Sequence, residues 1–129
     1  MTFGMFLRQL REEKDLKIRE LARLSKQDPA YIYRLEAGEK TSPSEEVLKS
    51  LIRSLKPDER RERVLRVLAD CGEIDDELVS LVLKDSEIVF EDFESAARAT
   101  FRDNRPATEE QWRRYINRIR EAREEIERG

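Results

Sequence analysis

The 129-residue sequence predicts an all-α protein. Apolar residues recur at three- and four-residue spacing along most of the chain, the period of a helix with one face turned inward. Charged residues make up 43% and hydrophobic ones only 38%, so any core is small and the helices wear wide solvated faces. Four glycines and four prolines leave few sites for tight turns, and most of them stand where a helix would start or stop.

Phe3, Phe6, Leu7 and Leu10 predict a first helix over about 3–14. Leu21, Ala22 and Leu24 predict a second over 18–25. Asp28-Pro29 is a strong start signal, because the aspartate accepts from orphan amides of the first turn and proline at the first helical position forfeits no needed donor. The helix it opens, 29–37, carries Ala30, Tyr31, Ile32 and Leu35 and is stopped by Gly38. Ser42-Pro43-Ser44-Glu45 repeats the start signal as a capping box running from Ser42 to Glu45, ahead of the stripe Val47, Leu48, Leu51, Ile52 and Leu55. After Pro57, Val64, Leu65, Val67 and Leu68 predict a fifth helix over 58–70, closed by Gly72. A domain boundary is placed there, giving domains 1–72 and 73–129. Beyond it, Ile74, Leu78, Leu81 and Val82 predict a short helix, and Val89, Phe90, Phe93, Ala97 and Phe101 a longer one. Asp103 to Ala107 reads as an exposed polar loop. Thr108 and Gln111 form the capping box of a last helix.

Composition excludes several functions. There is no histidine and one cysteine, so the usual zinc sites and Ser-His-Asp or Cys-His nucleophiles cannot be assembled. No metal, no cofactor and no enzyme activity are expected. No run of about 18 apolar residues occurs, nor a basic stretch leading into an apolar one, so neither a membrane span nor a signal peptide is expected. Cys71 has no internal partner, which suits a cytoplasmic protein, and reads as a small buried side chain rather than a redox sensor. The net charge of −3 is unevenly spread. Residues 1–56 hold 12 Lys/Arg against 9 Asp/Glu, and the remainder 14 against 20. A basic front and an acidic back imply two different partners.

The pair of short helices 18–25 and 29–37, joined by a tight link, has the spacing of a helix-turn-helix. The residues Leu7-Arg8-Gln9-Leu10-Arg11-Glu12-Glu13-Lys14, Leu16, Glu20-Leu21-Ala22 and Asp28 through Gly38 resemble the Xre/Cro family of phage-repressor-like regulators. Pro43-Ser44 through Leu55 resembles that family's closing helix, so the likeness covers roughly residues 3–56. It implies a five-helix helix-turn-helix DNA-binding domain, followed here by about three further helices. Double-stranded DNA is the implied partner, with helix 29–37 lying in the major groove. Pro29, Ala30, Tyr33 and Arg34 match positions that point at DNA, and Arg34 is best suited to guanine O6 and N7. Pro29 and Ala30 offer only apolar contact, which gives shape readout a larger share. Lys17 and Ile18 open the helix that crosses the backbone, with Lys17 a phosphate contact, and Lys40, Thr41 and Ser42 match a second phosphate clamp. Arg11 and Glu36 match an internal salt bridge. Tyr31 and Ile32 read as inward-facing, and Arg8 and Arg23 as solvated.

The sequence departs from the family at the turn, where Lys26 and Gln27 replace glycine and an aliphatic residue. A side chain at positive φ costs about 1 kcal/mol, so the turn is expected to be strained or differently shaped, with Lys26 adding a phosphate contact. The segments Pro57 to Arg61, Asp76-Glu77-Leu78, Lys84 to Glu87 and Glu109 to Trp112 are similar to the tail of a subset of these regulators, some inactivated by a companion metallopeptidase. In the last helix Trp112, Tyr115, Ile119, Ala122 and Ile126 step by 3 and 4, and Ile116 widens the stripe. This seam is read as a homodimerisation surface, against the alternative that it packs on the chain's own helices. The functional expectation is a transcriptional repressor binding a palindromic operator as a homodimer. Two alternatives stand beside it: an antitoxin whose acidic half neutralises a basic toxin, and a protein–protein adaptor.

Overall fold

A computed structural model describes residues 1–40 and 42–129. Among them are eight helices and no strand: α1 (Phe3–Glu13), α2 (Ile18–Ser25), α3 (Pro29–Glu36), α4 (Glu45–Leu55), α5 (Glu59–Cys71), α6 (Asp76–Lys84), α7 (Phe90–Arg98) and α8 (Glu109–Arg128). The chain divides into two compact units, Met1–Glu73 and Ile74–Gly129. None of the helices is long and apolar enough to cross a membrane.

The first unit holds α1 to α5. Its core is built from Phe6, Leu7, Leu10, Leu21, Ala22, Ile32, Leu35, Leu48, Leu51, Leu55, Val64, Leu65 and Leu68, all buried. Side-chain caps start four of the five helices. Thr2 Oγ1 accepts from the amide of Met5, Asp28 from Ala30, Ser44 from Val47 and Asp58 from Arg61. The cap of α4 corrects the sequence reading, which began the capping box at Ser42. Ser44 takes that role, and the Ser42 hydroxyl instead donates to the carbonyl of Ala69 in α5 (3.3 Å). Gly38 and Gly72 stop α3 and α5 at φ of 81° and 86°, a region open to glycine. An isolated antiparallel bridge joins Thr2 to Glu73 at the two ends of the unit.

Gly4 sets how closely α1 approaches α3. A Cβ there would lie 2.2 Å from the carbonyl oxygen of Leu35 and 2.7 Å from that of Glu36. Both are backbone atoms of α3 and its last turn, so no side chain can swing away to make room. The helix that carries the outward face of α3 is thus seated directly against the backbone of α1.

The second unit packs α8 across α6 and α7. Leu78, Leu81, Val82, Phe90, Phe93, Ala96, Trp112 and Ile116 form its core. Three corrections belong here. First, α7 ends at Arg98 and the chain turns extended at Ala99, so Phe101 is not helical. Its ring instead meets Trp112 and Tyr115 of α8 edge-on, at 5.9 and 5.2 Å between centroids. Second, the segment 103–107 is exposed as read except at Pro106, and it is also fastened. Arg105 pairs with Asp75 (3.1 Å) and lies over the rings of Phe101 and Trp112, and Pro106 is buried. Third, Trp112 and Ile116 are not available as part of a dimer seam. They are 0% and 3% exposed, because α8 turns them into the angle between α6 and α7. Tyr115 and Ile119 are half-buried at the edge of that packing, and Ala122 and Ile126 lie outside it. Cys71 is half-buried, not buried.

One buried ion pair orders this unit. Asp92, 1% exposed, receives two hydrogen bonds from the guanidinium of Arg123, at 2.8 and 3.1 Å. Those bonds and the neighbouring Glu127 hold Arg123 charged at any accessible pH. The pair fixes α8 on α7 in one rotation about its own axis.

Candidate nucleic-acid interface

Helices α2 and α3 meet through a turn whose geometry follows from Lys26. This residue sits at φ 58°, ψ 40°, the left-handed conformation that usually falls to glycine. The amides of Lys26 and Gln27 fold back onto the last turn of α2, Gln27 donating to the Ala22 carbonyl at 2.9 Å. The turn therefore has the ordinary shape of a helix end closed by a left-handed residue. Of the two expectations, strain or a different shape, strain is the outcome. The side chain of Gln27 donates to the Ser25 carbonyl (3.3 Å), and Ser50 of α4 donates to the same oxygen at 2.7 Å. The turn is thereby pinned to α4.

A second set of bonds holds α3 from the other end. Arg11 of α1 donates from Nε and Nη2 to the two carboxylate oxygens of Glu36, at 2.7 and 2.9 Å. Its remaining arm donates to the carbonyl of Leu16 at 2.7 Å, in the link that leads into α2. Both side chains are buried, with 10% and 6% exposed. The Glu36 hydrogen bond, partly offset by burial, raises the Arg11 pKa further still. One guanidinium thus ties α1, the entry to α2 and the end of α3 into a rigid frame.

With the frame fixed, the outward residues of α3 follow from its period. Ile32 and Leu35 are buried and Tyr31 is half-buried. Pro29, Ala30, Tyr33 and Arg34 are exposed on one face, with 57% of Tyr33 open to solvent. Around them stand Lys17 at the cap of α2, Lys26 in the turn and Lys40 after α3, all exposed. Ile18 is half-buried at the start of α2, lining a shallow groove with Arg8, Tyr33 and Ala37 above the Arg11–Glu36 pair. Ser42 is exposed, its hydroxyl proton committed to Ala69. Thr41 lies outside the described residues.

Three of the nearby carboxylates are engaged locally, while Glu39 beside Lys40 is exposed. Glu20 accepts from the backbone amide of Lys17 (3.0 Å), Asp28 caps α3 and Glu36 is held by Arg11. No ion pair among the described residues occupies Lys17, Lys26, Arg34 or Lys40. The surface around α3 is thus basic on balance, because Glu20, Asp28 and Glu36 are spent on helix caps and on the frame while Lys17, Lys26, Arg34 and Lys40 are left to solvent.

Sequence reasoning missed two residues that position this face: Gly4 and Ser50. Gly4 carried a signal, since a glycine inside a helical stripe implies close approach of another backbone. Ser50 carried none, because an exposed-looking serine in a helix has no pattern to mark it.

Two short helices joined by a left-handed turn, the second presenting a basic face, define a helix-turn-helix domain followed by further helices. Residues 2–65 match the family described as helix-turn-helix domain. A domain of this family suggests a DNA-binding regulator. No curated protein matches the chain significantly in sequence.

Proposed function

We propose that this protein is a transcriptional repressor of the Xre/Cro type that binds a two-fold symmetric operator as a homodimer. The observation that carries the proposal is the outward face of α3, with Pro29, Ala30, Tyr33 and Arg34 exposed among the uncommitted Lys17, Lys26 and Lys40 and with Glu20, Asp28 and Glu36 engaged in caps and the frame. Such a face fits the major groove, where a helix enters and lysines flank it on the phosphates. Arg34 donates in pairs to guanine O6 and N7, and Tyr33 offers a hydroxyl and an aromatic edge. Pro29 and Ala30 give apolar contact to a thymine methyl. Lys17, Lys26 and Lys40 neutralise phosphates and set register without reading sequence. The frame made by Arg11, Glu36 and Gly4 holds α3 still, so the bases are read by a preformed surface.

Selection of random duplex fragments on the purified full chain tests the proposal. The expected product is an inverted repeat whose half-sites lie about one helical turn apart, some 10 base pairs centre to centre. A chain that retains no duplex even at low salt sinks it.

A further inference from the structure

The last helix outruns the two helices it packs on. Trp112, Ile116 and Arg123 are held by α6 and α7, but Ala122 is exposed and Ile126 is 78% exposed, the most open large apolar side chain among the described residues. With half-buried Tyr115 and Ile119 they form a stripe along one edge of α8, at spacings of 4, 3 and 4. Flanking the stripe on its solvent side are Arg118 and Glu125, both exposed and one heptad apart. They lie about 10 Å apart along the helix, at 1.5 Å rise per residue, too far to pair with each other.

We propose that this edge of α8 pairs with the same edge of a second copy of the chain, antiparallel about a two-fold axis. The inference rests on the homodimeric reading above, narrows the seam to its uncovered part and adds its register and orientation. Antiparallel pairing sets Ile119 against Ala122 of the partner subunit and Tyr115 against Ile126 of the partner subunit, so each large residue meets a counterpart and the stripe is covered along its length. In that register Arg118 meets the partner's Glu125, and symmetry repeats the pair at the other end. A parallel seam sets flanking residues five apart against each other and brings Arg118 toward the partner's Arg123. Arg123 is already neutralised by Asp92, Glu91 and Glu127, so that contact adds no pair. The charge pattern therefore favours the antiparallel orientation, in which Arg118 and Glu125 pair at both ends of the seam.

Sedimentation of the full chain across the micromolar range, without DNA, tests this. The wild-type chain is expected to self-associate, and Ile126→Glu to abolish association. Arg118→Glu and Glu125→Arg should each weaken it by about tenfold or more, since each places like charges together at both ends of the seam. The double variant R118E/E125R should recover it, because only the pairing between chains is restored by exchanging residues that never touch within one helix. All of these positions are exposed, so thermal melting should show each variant as folded as the parent. A chain monomeric throughout overturns the inference. So does a dimer indifferent to Ile126→Glu, or a double reversal no better than the singles. The DNA selection separates the two readings: an inverted-repeat operator bound by a chain whose dimer ignores these changes leaves the repressor standing and removes this surface. Charge-swap rescue in a chain that binds no duplex does the reverse.

Discussion

At Lys26 two demands meet in one side chain. The turn needs a left-handed residue at this point, and glycine would adopt φ 58° without strain. Lysine there costs about 1 kcal/mol, and it places an ammonium group at the corner between α2 and α3. Lys26→Gly is expected to stabilise the fold by up to about 1 kcal/mol in chemical denaturation. It should also weaken binding to all duplexes equally and lower the salt slope by about one. A variant that is no more stable, or that binds as tightly as the parent, removes the trade. Arg34 should behave differently. Arg34→Ala is expected to cost about 1–3 kcal/mol on the selected operator and to relax preference at one base, whereas Lys17→Ala and Lys40→Ala weaken every sequence alike. Affinities on selected and scrambled duplexes distinguish the two patterns. Arg11 and Glu36 act together: truncating either strands a buried charge, at about 3–5 kcal/mol of stability. A double-mutant cycle should show strong coupling, and additive losses would contradict the frame.

Among the elements, α1 and α3 meet at a contact that leaves no room for a side chain at Gly4. Gly4→Ala forces a methyl group onto two carbonyl oxygens of α3, and overpacking of this kind costs about 1–3 kcal/mol or more. Thermal melting should show the loss, and unchanged stability would mean that α1 can slide on α3. The start of α5 is sensitive to pH. The amide and guanidinium of Arg61 hold the Asp58 carboxyl below the usual carboxylate range. A lowered folded-state pKa adds stability above the unfolded value, and that stability is lost as pH falls through the folded one. Asp58→Ala should therefore destabilise by about 0.5–2 kcal/mol at neutral pH, with the gap to the parent closing in acid. Helix starts and stops were legible because Thr, Asp, Ser and Gly advertise them chemically. The error at Ser42 arose because two serines offered equally good caps, and only packing against α5 chose between them. The stripe of α8 was legible as apolar, but no periodicity states which part of a stripe is covered. The burial of Trp112 and Ile116 depends on where α6 and α7 end, and the open Ile126 on α8 being longer than both.

For the molecule as a whole, each unit has its own core and its own buried ion pair, so the proposed DNA face and the proposed seam can be altered separately. Residues 1–73 should melt cooperatively alone, because they form one compact unit with a core of its own. That fragment is expected to recognise the same half-site as the full chain but to bind the complete operator about 10²–10⁴-fold less tightly, since it lacks the effective concentration of a tethered second unit. A fragment that matches the full chain on the operator would show that the second unit contributes nothing to affinity.

The bridge between Thr2 and Glu73 carries a consequence for engineering. Residues facing each other across an antiparallel bridge have α-carbons about 4.5–5.5 Å apart, so the chain enters and leaves the helix-turn-helix unit at a single point. A linker of a few residues would join those ends into a ring without bending either. Closing the ring would restrict the unfolded chain and leave the folded one untouched, raising stability by chain entropy alone. New ends opened elsewhere on its surface would then let the same unit be grafted onto a different carrier, facing its target from another side.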